Sequence, residues 1–237
     1  MSTPPVVAPA RRRILAVAVA AGGALVTGAC PLRAAEHEPD DDCAEEILPV
    51  EDLMREHGVL RRVLLVYGEV LRRFDAKEPL PPDALPGAAD VVRRFVEDYH
   101  ERQEEDGIFP AFEKAGREVA LVATLRRQHE AGRRCTATIQ RLAPTLATPD
   151  AGGRAEAAVA LRAFVRMYGP HAAWEDTVLF PQVRDVVGAH AYLELGERFE
   201  DREHAAFGED GFERMVGQVA SVERALGIGD LDAFTPR

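Results

Sequence analysis

Two stretches of the sequence repeat one chemical pattern. His100 is followed by Glu104 and then Phe109-Pro110, and His171 by Glu175 and then Phe180-Pro181. In both, the Glu lies four residues after the His, and the Phe-Pro pair nine and ten after it. Each block also stands behind a further His at nearly the same distance, His57 lying 43 residues before His100 and His129 lying 42 before His171. Residues four apart on a helix share a face, with Cβ atoms about 5–6 Å apart, so an imidazole and a carboxylate so spaced converge on one point. Two such helices facing each other, each preceded by a helix with one more His, deliver four His and two Glu to one locus. That is the outline of a dinuclear metal site.

Delivering those side chains to one place demands helices of matching phase. Alanine, leucine, arginine and glutamate are plentiful and aromatic residues make up only 6%, a composition that favours helix. No sustained alternation of apolar and polar residues suggests a strand. The stripe Leu53, Leu60, Leu64 and Leu71 predicts a first helix over about 50–74, with His57 inside the stripe. Pro79, Pro81, Pro82 and Pro86 mark a stiff loop closed by Gly87. A second helix, about 88–114, carries Val92, Val96, His100, Glu104 and Ile108 on one face, and Gly116 breaks it. A third, about 118–142, aligns Val122, Leu125, His129, Thr136 and Ile139. After a loop over 144–153, a fourth, about 156–187, aligns Phe164, Tyr168 or Met167, His171, Glu175 and Val178. Pro110 and Pro181 fall late in their helices, where they would kink the last turns or end them. Four helices with short connections over 48–187 predict an all-α fold, an up-down-up-down four-helix bundle. An additional C-terminal helix over 188–227, bearing Phe199, His204, Phe207 and Met215, packs on that bundle, and residues 228–237 form a tail.

A single histidine on an apolar helix face is more often a hydrogen-bonded core residue than a ligand. Here the number of them decides. Of the seven His, five stand one per expected helix on the apolar face: His57, His100, His129, His171 and His204. Burying them with Glu104 and Glu175 would leave unpaired polar groups, at a cost on the order of several kcal/mol each. Bound metal removes that cost. His37 and His190 fall in stretches expected to be solvated. Imidazoles with two carboxylates suit iron, zinc, copper or manganese, and the absence of cysteine from the pattern argues against a structural zinc site.

Carried by these residues, the segment 50–187 resembles the hemerythrin-type cation-binding domain: a single first-helix His57, His100 with Glu104, the third-helix His129, and His171 with Glu175, each His-x-x-x-Glu block followed by Phe-Pro. The resemblance implies a non-haem centre of two Fe ions, with Glu104 and Glu175 bridging, His57 and His100 on one iron, and His129 and His171 on the other. The departures are informative. Oxygen-carrying hemerythrins have a second third-helix His at the place held here by Arg133, and bridge with Asp where this chain has Glu175. A guanidinium cannot ligate because it does not deprotonate; His204 is the candidate replacement, and Glu101, next to His100, is a ligand in some similar domains. A His-rich shell with few carboxylates points to binding a small diatomic or related oxidant, O2 or NO, for sensing, storage or detoxification. Alternatives are a peroxidase- or catalase-like scavenger, with Tyr168 one turn before His171 as a redox-active neighbour, and a metal store.

The N-terminus has a different character. Arg11-Arg12-Arg13 opens an uncharged run from Ile14 to Ala29, too short for a confident membrane span, which matches a secretory signal over 1–30 with a twin-arginine opening. Thr27-Gly28-Ala29-Cys30 resembles a lipoprotein cleavage box, with Thr27 where Leu is usual, so a lipidated Cys30 would be the only membrane attachment. Residues 31–47 read as an acidic tether. The expected location is periplasmic or extracytoplasmic. Removing residues 1–29, which hold three Arg and no acid, takes the formal charge from −11 to −14. A surface that acidic repels phosphate backbones and excludes a nucleic-acid role. Cys30, Cys43 and Cys135 include no CxxC, and Cys43 and Cys135 are a candidate pair in an oxidising compartment.

Overall fold

The computed structural model describes residues 48–236. The expected signal segment and tether, with Cys30, His37 and the Cys43 half of the expected pair, lie outside the described residues; Cys135 is a free, partly buried thiol. Six helices account for the fold, with no strand among the described residues. Helix α1 is Pro49–Asp75. Helix α2 covers residues 84–115, α3 is Val119–Leu142 and α4 covers 154–187. Helix α5 is Ala189–Phe207 and α6 is Gly211–Leu226. No helix among the described residues is long and apolar enough to cross a membrane.

The core is split by a polar layer. On one side lie Val59, Leu60, Val63, Tyr67, Phe95 and Phe164 with their neighbours. On the other lie Leu53, Ile108, Phe109, Leu125, Leu179 and Phe180. Each of α1 to α4 contributes to both clusters, so each passes through the layer between them. Burying a side chain of this size is worth roughly 1.5–3 kcal/mol, and two such clusters can hold buried polar groups between them. Along α1, the buried face runs through Val63, Val66, Tyr67, Val70 and Phe74, leaving Leu64 and Leu71 only partly buried. A strict seven-residue stripe drifts by about 20° per heptad on a straight helix, and the core follows the helix rather than the heptad.

Pro110 and Pro181 do not end their helices. Wide turns absorb them, over Glu104–Ile108 in α2 and Glu175–Leu179 in α4. Proline has no N–H to give and its ring crowds the carbonyl four residues back. The chain widens so that the Phe109 N–H donates to the Glu104 carbonyl and the Phe180 N–H to the Glu175 carbonyl, five residues back in each case. A further wide stretch, Val92–His100, precedes the first block. Such turns concentrate at functional sites; the two that absorb the prolines begin at the repeated glutamates, and the third ends at His100.

The expected single C-terminal helix is two. Gly208 at φ 73° and Asp210 at φ 60° break it between α5 and α6, a Gly-Glu-Asp-Gly turn signal in the sequence. Glu203 of α5 accepts the Phe212 N–H at 2.8 Å, satisfying one of the donors left open at the start of α6. Helix α6 packs on α1 and α2.

Candidate metal centre

Each of the first four helices brings one imidazole to the polar layer: His57 from α1, His100 from α2, His129 from α3 and His171 from α4, all buried. Glu104 and Glu175 project from α2 and α4 into the same layer and are fully buried. His129 Nε2 and His171 Nε2 lie 3.2 Å apart; nitrogens held cis on one ion by bonds of about 2.1 Å sit about 3 Å apart. Glu175 Oε2 is 3.1 Å from His171 Nε2 and 3.4 Å from His57 Nε2. Glu104 reaches across likewise, with Oε1 3.7 Å from His100 Nε2 and Oε2 3.4 Å from His129 Nε2. Each carboxylate therefore touches imidazoles from both halves of the duplicated sequence. His57, His100 and Glu104 form one group whose ligand atoms lie within 4.8 Å of one another, and His129, His171 and Glu175 form another. His57 Nε2, His100 Nε2 and both oxygens of Glu104 and of Glu175 are buried without a hydrogen-bond partner. Buried polar atoms are ordinarily satisfied, and cations placed between these would satisfy them together.

The other ring nitrogen of every histidine is held by a residue of an adjoining helix. His57 Nδ1 donates to Asp176 at 2.7 Å, His100 Nδ1 to Glu56 at 2.6 Å, His129 Nδ1 to Glu105 at 3.1 Å and His171 Nδ1 to Gln128 at 2.9 Å. The support runs in a ring: α1 holds the histidine of α2, α2 that of α3, α3 that of α4, and α4 that of α1. An Nδ1–H donated outward leaves a bare Nε2 pointing inward, the tautomer a metal needs. Sequence reasoning missed Glu56, Glu105, Gln128 and Asp176. The signal was there, since each is the immediate neighbour of a predicted ligand, and one step along a helix turns a side chain by about 100°, from the layer towards the next helix.

Electrostatics follow from the burial. Burial opposes charge on His57, but Asp176 and Glu175 outweigh it and raise the imidazole to about 9. Burial, with His57 nearby, drives His100 well below its usual value, and burial takes His129 down to about 4 despite Glu105. Burial and then the charge of Glu175 push Glu104 well above the usual carboxylate range. Burial works the other way on Glu175 only until His171 and His57 override it and hold it low. Two facing carboxylates, one protonated and one ionised, fit the like-charge rule, and a cation between them would replace the proton.

Arg133 faces two outer carboxylates, at 2.7 Å from Glu101 and 2.8 Å from Glu105. Glu101 also accepts from the Tyr168 hydroxyl at 2.5 Å. Glu101, Glu105 and His129 make a third group with ligand spacing, but the Arg133 guanidinium already supplies its cation. Tyr168 packs edge-on to His171, ring centroids 5.2 Å apart, and its ring passes so close over α3 that a Cβ at position 132 would lie 2.7 Å from Tyr168 Cζ. Gly132 leaves the room.

His204 does not join the layer. The buried face of α5 is Tyr192, Leu195, Phe199, Glu203 and Phe207, and His204, one step past Glu203, is exposed and in none of the ligand groups. Its apolar neighbours in the sequence suggested a face that the helix phase does not give it. His190 is exposed, 3.4 Å from Glu194.

Residues 48–183 match the family described as hemerythrin HHE cation binding domain. The uncharacterized protein Rv1995 of Mycobacterium tuberculosis and the uncharacterized protein Mb2018 of Mycobacterium bovis are each 43% identical to this chain over 240 residues, covering 99% of this chain and 93% of the relative. No solved structure matches the chain with significance.

Proposed function

We propose, for a chain that belongs to the hemerythrin HHE cation-binding family, that the polar layer holds two iron ions and that the loaded protein binds O2, NO or a related small oxidant. In this reading residues 48–187 are an up-down-up-down bundle, with α5 and α6 as additions to it. His57 and His100 would hold one ion and His129 and His171 the other, with Glu104 and Glu175 placed to serve both. The observation that carries it is the set of inward atoms, His57 and His100 Nε2 with both oxygens of Glu104 and of Glu175, left without partners beside the facing Nε2 atoms of His129 and His171, each of the four histidines already fixed from outside. The metal pair supplies a redox-capable centre for a small ligand. The chain's own residues orient the imidazoles, hold the glutamates ready to bridge, and exclude water through the apolar clusters on both sides. The leader supports export, with any lipid attachment at Cys30.

The test is the optical spectrum of the reduced, iron-loaded protein on exposure to oxygen. A stable and reversible new band supports a binding protein; no spectral response to O2 or NO contradicts it. Tyr168 favours a second reading, a di-iron peroxide scavenger, because its ring abuts His171 while its hydroxyl is anchored on Glu101. Rapid peroxide turnover that Tyr168→Phe abolishes would select that reading. A metal store predicts ready exchange of both ions and neither behaviour.

A further inference from the structure

We infer that the two metal positions are unequal, the one at His129 and His171 being the weaker and the readily exchanged one. The inference rests on the dinuclear reading above and on a difference in how the two histidine pairs are held from outside.

His57 and His100 each donate Nδ1–H to a carboxylate, at 2.7 Å and 2.6 Å. The oxygen used is not shared with a cation. Arg61 bonds the other oxygen of Asp176, and Glu56 is approached by the neutral amide of Gln103 at 3.4 and 3.5 Å. The second pair is held differently. His129 donates to Glu105 Oε1 at the longer distance of 3.1 Å, and that same oxygen accepts from Arg133 at 2.8 Å. His171 donates to the neutral amide oxygen of Gln128 at 2.9 Å. Glu101 lies 4.0 Å from His129 Nδ1, beyond hydrogen-bond reach, and is itself bound to Arg133.

A carboxylate on Nδ1–H draws the ring proton and makes Nε2 a stronger donor to metal, whereas a neutral amide or an oxygen already engaged by a guanidinium does so less. In the duplicated sequence Gln128 precedes His129 just as Glu56 precedes His57. One amide in place of one carboxylate is the main difference between the halves. Loss of such an outer partner costs about 10–100-fold in metal affinity, which sets the expected gap.

The experiment is an anaerobic titration of the metal-stripped full chain with Co(II), followed by its visible absorption and by competition with a chelator, with circular dichroism confirming the fold of every variant. Uptake of about two ions in total, in two phases separated by about 10-fold or more, is the expected result. Gln128→Glu, nearly isosteric, tightens the second phase and leaves the first alone. Glu56→Gln loosens the first phase only; should that variant not fold, Gln128→Glu decides by itself. Two indistinguishable phases in the unmodified protein, or a Gln128→Glu protein whose second phase does not move, would overturn the inequality while leaving the dinuclear reading intact. A folded protein that takes up fewer than two ions brings down the dinuclear reading and the inequality with it.

Discussion

Burial opposes the charged form of both His57 and His129, but their carboxylate partners leave the two shifted in opposite directions, and the difference makes the metal-free protein sensitive to pH in a diagnostic way. His57, raised to about 9 by Asp176 and Glu175 against its burial, contributes stability that is complete below the unfolded value of about 6.5 and is lost as pH rises through about 9. In the metal-free protein burial raises Glu56 to about 8, so the folded state also binds more protons there than the unfolded chain, and stability again falls as pH rises towards 8; a cation on the far side of His100 would favour the ionised carboxylate. His129, lowered to about 4, acts only on the acid side, where stability falls as pH drops from about 6.5 to 4. The melting temperature of metal-free protein should therefore decline from pH 6.5 to 9. Metal-loaded protein should do the reverse, since protons and metal compete for the same nitrogens. Parallel slopes in melts of the two forms would contradict the assignment. A second expectation concerns Gly132: Gly132→Ala drives a Cβ into the Tyr168 ring, and such overpacking costs about 1–3 kcal/mol or more. Urea denaturation checks it, and a cost below that of an exposed-site control such as Gly217→Ala would mean the ring moves aside freely.

The wide turns give the clearest prediction for the helices. Pro110→Ala and Pro181→Ala restore an N–H four residues after Asp106 and Thr177, allowing an ordinary turn to form. That shifts Glu104 or Glu175 out of phase with the histidines. Because proline is about 3 kcal/mol poorer than alanine inside a helix, the metal-free variants should be as stable as the parent or more so, while metal affinity falls. Unchanged affinity would show that the wide turns do not set the glutamates. Much of this scale was legible in the sequence. The stripes around His57, His100, His129 and His171 located four helices to within a few residues, because an apolar face must follow the 3.6-residue period. The break at Gly208 and Asp210 has its turn signal, and the buried face of Tyr192, Leu195, Phe199 and Phe207 is out of phase with that of Met215, Val219, Val222 and Leu226, a phase change that a count of apolar residues over 188–227 does not register. Other features were not legible. Periodicity does not distinguish a wide turn from an ordinary one, so Pro110 and Pro181 read as kinks or ends of the last turns. The outer partners sit on the neighbouring helix, and only assembly shows that Glu56 serves His100 rather than its own neighbour. His204 failed for the converse reason, its phase on α5 being fixed by Phe199, Glu203 and Phe207.

Over the whole molecule, the strongly negative charge, the leader and the site form one proposal. A metal centre assembled from four helices far apart in sequence requires the fold first, and a twin-arginine leader serves proteins that are folded before export. Replacing both Arg11 and Arg12 by Lys should leave uncleaved, metal-loaded precursor inside the cell, checked by fractionation and immunoblotting; undiminished export would assign a different route. The central claim, that four inward imidazole nitrogens and two carboxylates hold a metal pair, is tested most directly by the iron content of the anaerobically loaded, desalted full chain, measured by mass spectrometry alongside protein concentration. The account predicts about two iron ions per chain, falling to about one or fewer in Glu104→Gln and Glu175→Gln proteins of unchanged helicity. One ion or none in the parent, or a full complement in both variants, would contradict it.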